Sequence, residues 1–195
     1  MAYFNGKPGT ASGLLTSLLA VDGAGSLFDA DLLDSLSSAA FARVGANTDI
    51  TSLAGTATND SAAAGKIGEF MESNIAIGSA VALSTGAAKT ITSLALTAGD
   101  WDVFGQVSFI PAGTTTMSVL AAAIHTTTDA LPTSPASGAY TAVQTVFTTG
   151  QTQSLPAGMR RVSIAGTTTL YLIAYAAFAV STMTGYGYFG ARRAR

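Results

Sequence analysis

Asp100 and Asp102 flank Trp101. Residues two apart on a strand point to the same side, so two carboxyl groups could stand together beside an aromatic ring. A glycosidase divides acid and base roles between such a pair, but nothing else in the sequence builds a sugar cleft around them. Asp100 is instead expected to close the turn made by Ala98 and Gly99, and Trp101 to anchor a β core.

Three other groupings carry possible chemistry. Gly185, Gly187 and Gly190 satisfy the Gly-x-Gly-x-x-Gly pattern. A dinucleotide site needs a helix after the glycines and an acid further on, whereas Ala191-Arg192-Arg193-Ala194-Arg195 supplies neither. The segment reads as a Gly-aromatic strand in which glycines admit a close neighbour. His125 is the only His, so a His-based triad or metal site would depend on it. A structural His at a strand end is expected, with three copies around an axis as the one route to a metal. Arg192, Arg193 and Arg195 could meet phosphate, as in nucleic acid or lipopolysaccharide. Without exposed aromatics between them, they are expected to be solvated or to form fork-like pairs with acids of a neighbouring subunit. No catalytic, cofactor-binding or metal-binding residue is therefore assigned, and no cofactor, nucleic-acid partner or membrane insertion is expected.

The elements around these residues are unusual in charge. Residues 103–159 carry one charged side chain, Asp129, yet the stretch is stitched with Thr, Gly, Ser and Gln. An ordinary soluble surface is about a quarter charged, so such a segment must hide its neutral faces in an assembly or wet them with hydroxyls. Ten of the eleven acids precede Val103, while five of the nine basic residues lie at or after Arg160. The absence of Cys excludes disulfides and thiolate metal sites.

After Phe70 short apolar runs alternate with turn residues, which predicts strands. Eight runs stand out: Val81/Leu83, Ile91/Leu94/Leu96, Val103 to Ile110, Met117 to Ile124, Tyr140 to Phe147, Val162/Ile164, Leu170 to Val180 and Tyr186 to Phe189. Their number and spacing indicate a mainly β fold, an antiparallel β-sandwich or jelly roll over 67–195. Val103, Gly105, Val107 and Phe109 share one face of their strand. Leu170 to Val180 is apolar on both faces and too short to span a membrane, which needs about twenty residues; its outer face is expected to meet another subunit. Residues 1–66 read as an arm and connector. Lys7 and Leu14 to Val21 mimic a signal peptide, but Thr16 and Ser17 break the apolar core, so an arm that becomes ordered on a partner is expected. Leu33, Leu36, Ala40 and Val44 recur at helical spacing after Ser26, which predicts one short helix that must pack on something else.

Thr92-Ser93-Leu94-Ala95-Leu96-Thr97-Ala98-Gly99-Asp100-Trp101-Asp102-Val103, continuing to Gly105, Val107, Phe109, Pro111 and Gly113-Thr114-Thr115-Thr116, resembles the C-terminal β domain of tailed-bacteriophage fibre and virion surface proteins. Leu33-Asp34-Ser35-Leu36 through Phe41-Ala42 is similar to an element of phage tail fibres, with Ser35 where Gly is usual. The resemblance implies a homotrimer on the virion surface, held to tail or capsid proteins through its N-terminal region. It implies a non-enzymatic fibre or spike that displays a β-sandwich tip to a host-surface glycan or protein. A capsid decoration or head-fibre protein, and a carbohydrate-binding or hydrolytic module, are the alternatives.

Overall fold

The computed structural model describes residues 61–133 and 138–195. The helix expected within 26–44 and the arm before residue 61 lie outside the described residues. Among the described residues there are nine strands: β1 (Phe70–Ile75), β2 (Val81–Leu83), β3 (Ala88–Leu96), β4 (Gly99–Pro111), β5 (Thr116–His125), β6 (Ala139–Gln144), β7 (Gln153–Ile164), β8 (Thr168–Ala179) and β9 (Met183–Arg193).

They form two antiparallel sheets. One runs β1-β9-β4-β7, with β2 also on β9, and the other runs β3-β8-β5-β6. β2 pairs with residues 183–185 of β9 and β1 with residues 187–192, so the two occupy consecutive stretches of one edge. A single 3-10 turn, Ile77–Ser79, separates them. Counting that pair as one interrupted strand leaves eight positions, and the alternation of sheets along the chain is that of a jelly roll. The fold expected from the sequence is the fold observed.

The alternation within each strand decides which side chains face inward. In β4, Trp101, Val103, Val107 and Phe109 are fully buried. They meet Leu170, Leu172, Ala174 and Ala176 of β8, Leu120, Ala122 and Ile124 of β5, and Phe189 and Ala191 of β9 in one apolar cluster. Leu172 fits the core because two positions of the opposite sheet lack a side chain. A Cβ at Gly105 would lie 2.8 Å from Leu172 Cδ1, and one at Gly187 would lie 3.1 Å from Leu172 Cδ2. Two glycines thus form the hole for one leucine, which accounts for part of the Gly-x-Gly-x-x-Gly pattern by packing alone.

The strand ends depart from expectation in three places. β1 was not among the sequence-expected strands, β6 stops at Gln144 rather than Phe147, and β7 begins at Gln153, well before Val162. β7 is an edge strand, so Pro156 removes no essential ladder donor there. Between Gly105 and Gln106 the register with β7 slips past Ala157, and Gly158 adopts φ +83 to accommodate the bulge.

On the outer face of the second sheet, Ile173, Ala121 and Ala123 are fully buried within the single chain, while Tyr175 is half-buried. Part of the two-sided apolar character of β8 is therefore satisfied without any other subunit.

Candidate functional site

The outer face of the β1-β9-β4-β7 sheet holds two groups of side chains, one ionic and one aromatic. Asp100 sits at the ionic end, opposite Ser163 in the ladder to β7. Its Oδ2 accepts a hydrogen bond from Arg161 Nη2 at 2.8 Å and another from Arg195 Nε. Arg195, then Ser163, then Arg161 hold its carboxyl well below the usual carboxylate range against the opposing effect of burial. Its Oδ1 is buried without a hydrogen-bonded partner among the described residues. Asp102 lies on the same face, across from Arg192 on one side and Arg161 on the other. The expected same-side placement of the two carboxylates is thus present. A glycosidase acid, however, needs a raised pKa, and Asp100 is shifted the other way. Nor does its carboxylate close the turn at Ala98 and Gly99; it binds two arginines.

Trp101 points to the opposite side of β4 and is fully buried, its indole Nε1 donating to the Thr97 carbonyl at 2.9 Å. It anchors the core, as expected, and offers no surface to a ligand. Beside it, Arg193 is buried and donates from Nε to Glu69 Oε2 at 2.8 Å, from Nη1 to the Ala98 carbonyl at 2.7 Å and from Nη2 to Thr97 Oγ1 at 2.6 Å. Burial alone pushes the Glu69 carboxyl up, but the Gly65 amide and the hydrogen bond and charge of Arg193 outweigh it and hold Glu69 low. The arginine cluster was expected to be solvated or to find its acids on a neighbouring subunit. Arg193 and Arg195 instead meet Glu69 and Asp100 of their own chain, because β1 and β4 flank β9 on either side. Arg192 lies on the outer face and is exposed, and so is most of the Arg195 side chain, so both keep the expected contact with solvent.

His125 ends β5, where its Nδ1 accepts the Thr127 amide at 3.2 Å. The loop beyond docks on β3: Asp129 Oδ1 accepts the Thr90 amide at 2.7 Å, and the Asp129 amide donates to Thr90 Oγ1 at 3.0 Å. His125 serves a loop turn, and no group of three or more metal-ligating side chains occurs among the described residues.

The sequence marked β9 as a Gly-aromatic strand but not its tyrosines as part of a surface. In β9 the inward glycines alternate with outward Tyr186, Tyr188 and Gly190, and β4 contributes Phe104, Gln106 and Ser108 to the same face. Phe104 lies over Gly190, where an added Cβ would come within 2.7 Å of its ring. The Phe104 ring centroid is 6.3 Å from that of Phe70 and 6.3 Å from that of Tyr188. Tyr188 donates its hydroxyl to Glu72 Oε2 at 3.1 Å, and burial first, then Glu72, raises its pKa. Next to this stripe is an open depression of about 270 Å³ lined by Asn74, Ile75, Ala76, Gln106, Ser108, Tyr186, Gly187 and Tyr188. Asn74, Tyr188 and Gln106 form one row across three strands, and Tyr186 and Ser108 form the next. The signal that could have revealed this face is the strict alternation of Gly and Tyr in Gly185-Tyr186-Gly187-Tyr188, once β9 is placed at the middle of a sheet.

No protein-family model matches the chain, and no curated protein matches its sequence. Among solved structures it is similar to that of the infectious bursal disease virus Gx strain, at 13% identity and a TM-score of 0.36, over 63% of this chain and 30% of that one. It is also similar to the infectious bursal disease virus VP2 subviral particle, at 14% identity and a TM-score of 0.34, over 64% of this chain and 30% of that one. The chain spans less than a third of the length of these proteins.

Proposed function

We propose that this is a non-enzymatic bacteriophage virion protein, a homotrimeric fibre or spike whose N-terminal region attaches to the particle and whose jelly roll faces the host. The sequence resemblance to phage fibre and surface proteins supports the virion role. The observation that carries host attachment is the outer face of the β1-β9-β4-β7 sheet, where half-buried tyrosines border a depression lined by no charged side chain. Such a surface suits a modest, reversible contact. Three copies on one particle turn weak contacts into firm attachment, because the second and third become intramolecular.

Absence of catalysis belongs to the same reading. Of the two carboxylates placed like a glycosidase pair, Asp100 is fixed as an anion between Arg161 and Arg195, a poor proton donor at neutral pH, and Asp102 lies across from Arg161 and Arg192.

Competition for adsorption tests the proposal. Purified protein in excess should slow attachment of the phage to its host, with recovery on dilution. Unchanged adsorption, together with a copy number far above that of a tail appendage, would instead favour a capsid decoration or head-fibre protein.

A further inference from the structure

We infer that the depression between β1, β9 and β4 is a binding site for a neutral saccharide, with Tyr186 and Tyr188 as its aromatic wall and Asn74 and Gln106 as its polar contacts. The inference rests on the host-attachment reading only for the source of the ligand, not for the site.

Three features select this class of ligand. The first is unspent hydrogen bonding. Among the described residues the side chains of Asn74 and Gln106 make no hydrogen bond, and neither does the Tyr186 hydroxyl. Asn74 and Gln106 lie on either side of Tyr188, each opposite it in the ladder. A carboxamide offers one acceptor and two donors, a combination that matches vicinal hydroxyls, each both donor and acceptor. The second is the ring surface. Tyr186 and Tyr188 are two residues apart on one strand face, so they rise about 7 Å relative to each other, within the span of a short oligosaccharide. The apolar C–H face of a pyranose packs on such rings while its hydroxyls reach the flanking amides. The third is charge. None of the eight lining residues is a charged residue type, and Glu72, on the same strand as Asn74, already accepts the Tyr188 hydroxyl. An anionic or cationic ligand would lose its hydration without a counter-charge, whereas a neutral sugar would not.

The size agrees. At about 270 Å³ the site is just below the usual span of ligand pockets, about 300–1,000 Å³, which fits one or two sugar units at the end of a longer glycan. A peptide would be expected to add to a sheet edge, where main-chain groups are free. Here the tyrosines and Gln106 stand on β9 and β4, which are paired on both sides; only β1, with Asn74, is an edge.

The experiment uses the full chain and saturation-transfer NMR, with titration of any positive. The panel holds uncharged gluco-, galacto- and N-acetylglucosamine oligomers, a sulfated and a carboxylated oligosaccharide, and an extended apolar peptide. Binding of at least one uncharged sugar is expected, with saturation reaching its ring C–H protons. Tyr186→Ala and Gln106→Ala should each weaken it about tenfold, a change of about 1.4 kcal/mol, with an unchanged melting temperature. Tyr186→Phe should retain most of the binding, because it keeps the ring. Failure of every uncharged sugar to bind, binding confined to the charged sugars or the peptide, or binding that survives both alanine changes would each overturn the inference. If the protein competes for adsorption while no uncharged sugar binds, the saccharide site falls and host attachment stands. If a sugar binds through these residues while adsorption is unaffected, the reverse holds.

Discussion

The guanidinium carbon of Arg193 lies 4.3 Å from the centre of the Trp101 ring, and the two residues are directly opposite each other in the β4–β9 ladder. The cation sits over an indole face, with Glu69 and two strand-end oxygens of 97–98 taking its N–H groups. Removing either charge leaves the other buried and unpaired. Gly99, at φ +142, makes room for it, since a Cβ there would fall 2.0 Å from Arg193 Nη1.

Arg193→Met should therefore destabilise the domain by about 3 kcal/mol or more, the usual cost of breaking a buried pair by removing one partner. Glu69→Gln should fall in the same direction by less, because an amide oxygen still accepts from Arg193 and from Gly65. The double change should lose less than the sum of the two, since both remove one interaction. Urea unfolding of the four proteins measures this. Strict additivity would mean that the pair is not coupled.

The carboxylates give a pH dependence with a definite sign. Glu69 and Asp100 both titrate below the ordinary range in the fold, so the unfolded chain binds more protons under acid conditions. Their contribution is complete above the unfolded carboxylate range, about pH 4, and is lost as pH falls through the depressed folded values. The urea midpoint should hold steady from neutral pH down to about pH 5 and decline steeply from about pH 4. Asp100→Asn should flatten part of that decline. A midpoint indifferent to pH between 7 and 3 would contradict the ion-pair assignments.

Glycine placement makes a third prediction. A Cβ at Gly187 would lie 2.3 Å from the Gln106 carbonyl oxygen, a backbone atom that cannot move without disturbing the β4–β9 ladder. Gly187→Ala should cost about 3 kcal/mol, the upper part of the range for overpacking, or prevent folding. Gly166 has open space around it, and Gly166→Ala should change stability by no more than about 0.5 kcal/mol. Thermal melts of the two variants decide the matter; equal effects would mean that β9 and β4 are not so closely paired.

How much of this was legible beforehand depended on the strand. Val103 to Phe109 announced its buried face by alternation, and the apolar run from Leu170 marked a central strand. Phe70-Met71-Glu72-Ser73-Asn74-Ile75 gave no such signal, because Glu72, Ser73 and Asn74 are polar in succession, Ser73 bonding Thr92 where an apolar side chain would have kept the alternation. The first half of β7 carries Pro156 and Gly158, residues that ordinarily interrupt a strand, although at a bulged edge both fit. The ion pairs were illegible for a different reason. Asp100 meets Arg161 and Arg195 across 61 and 95 residues of sequence, and only the strand order brings them together. The tyrosine face was hidden likewise, since its amides come from β1 and β4 and its rings from β9.

Assembly supplies the last prediction. Ile173 and Tyr175 both lie on the outer face of β8, but Ile173 is fully buried in the single chain and Tyr175 is only half-buried. Tyr175 is flanked by Ala88 of β3 and Ala121 of β5, small residues that would let a neighbouring surface approach. Ile173→Asp should unfold the domain outright, because it places an unpaired charge among buried groups at a cost of several kcal/mol. Tyr175→Asp tests the homotrimer instead. Light scattering on the parent protein should give about three times the 19.5 kDa chain mass, and Tyr175→Asp should lower that mass while the β-sheet circular dichroism persists. A parent that scatters as a monodisperse monomer at micromolar concentration would remove the trimer from the proposed function. A trimer unaffected by Tyr175→Asp would move its interface away from β8.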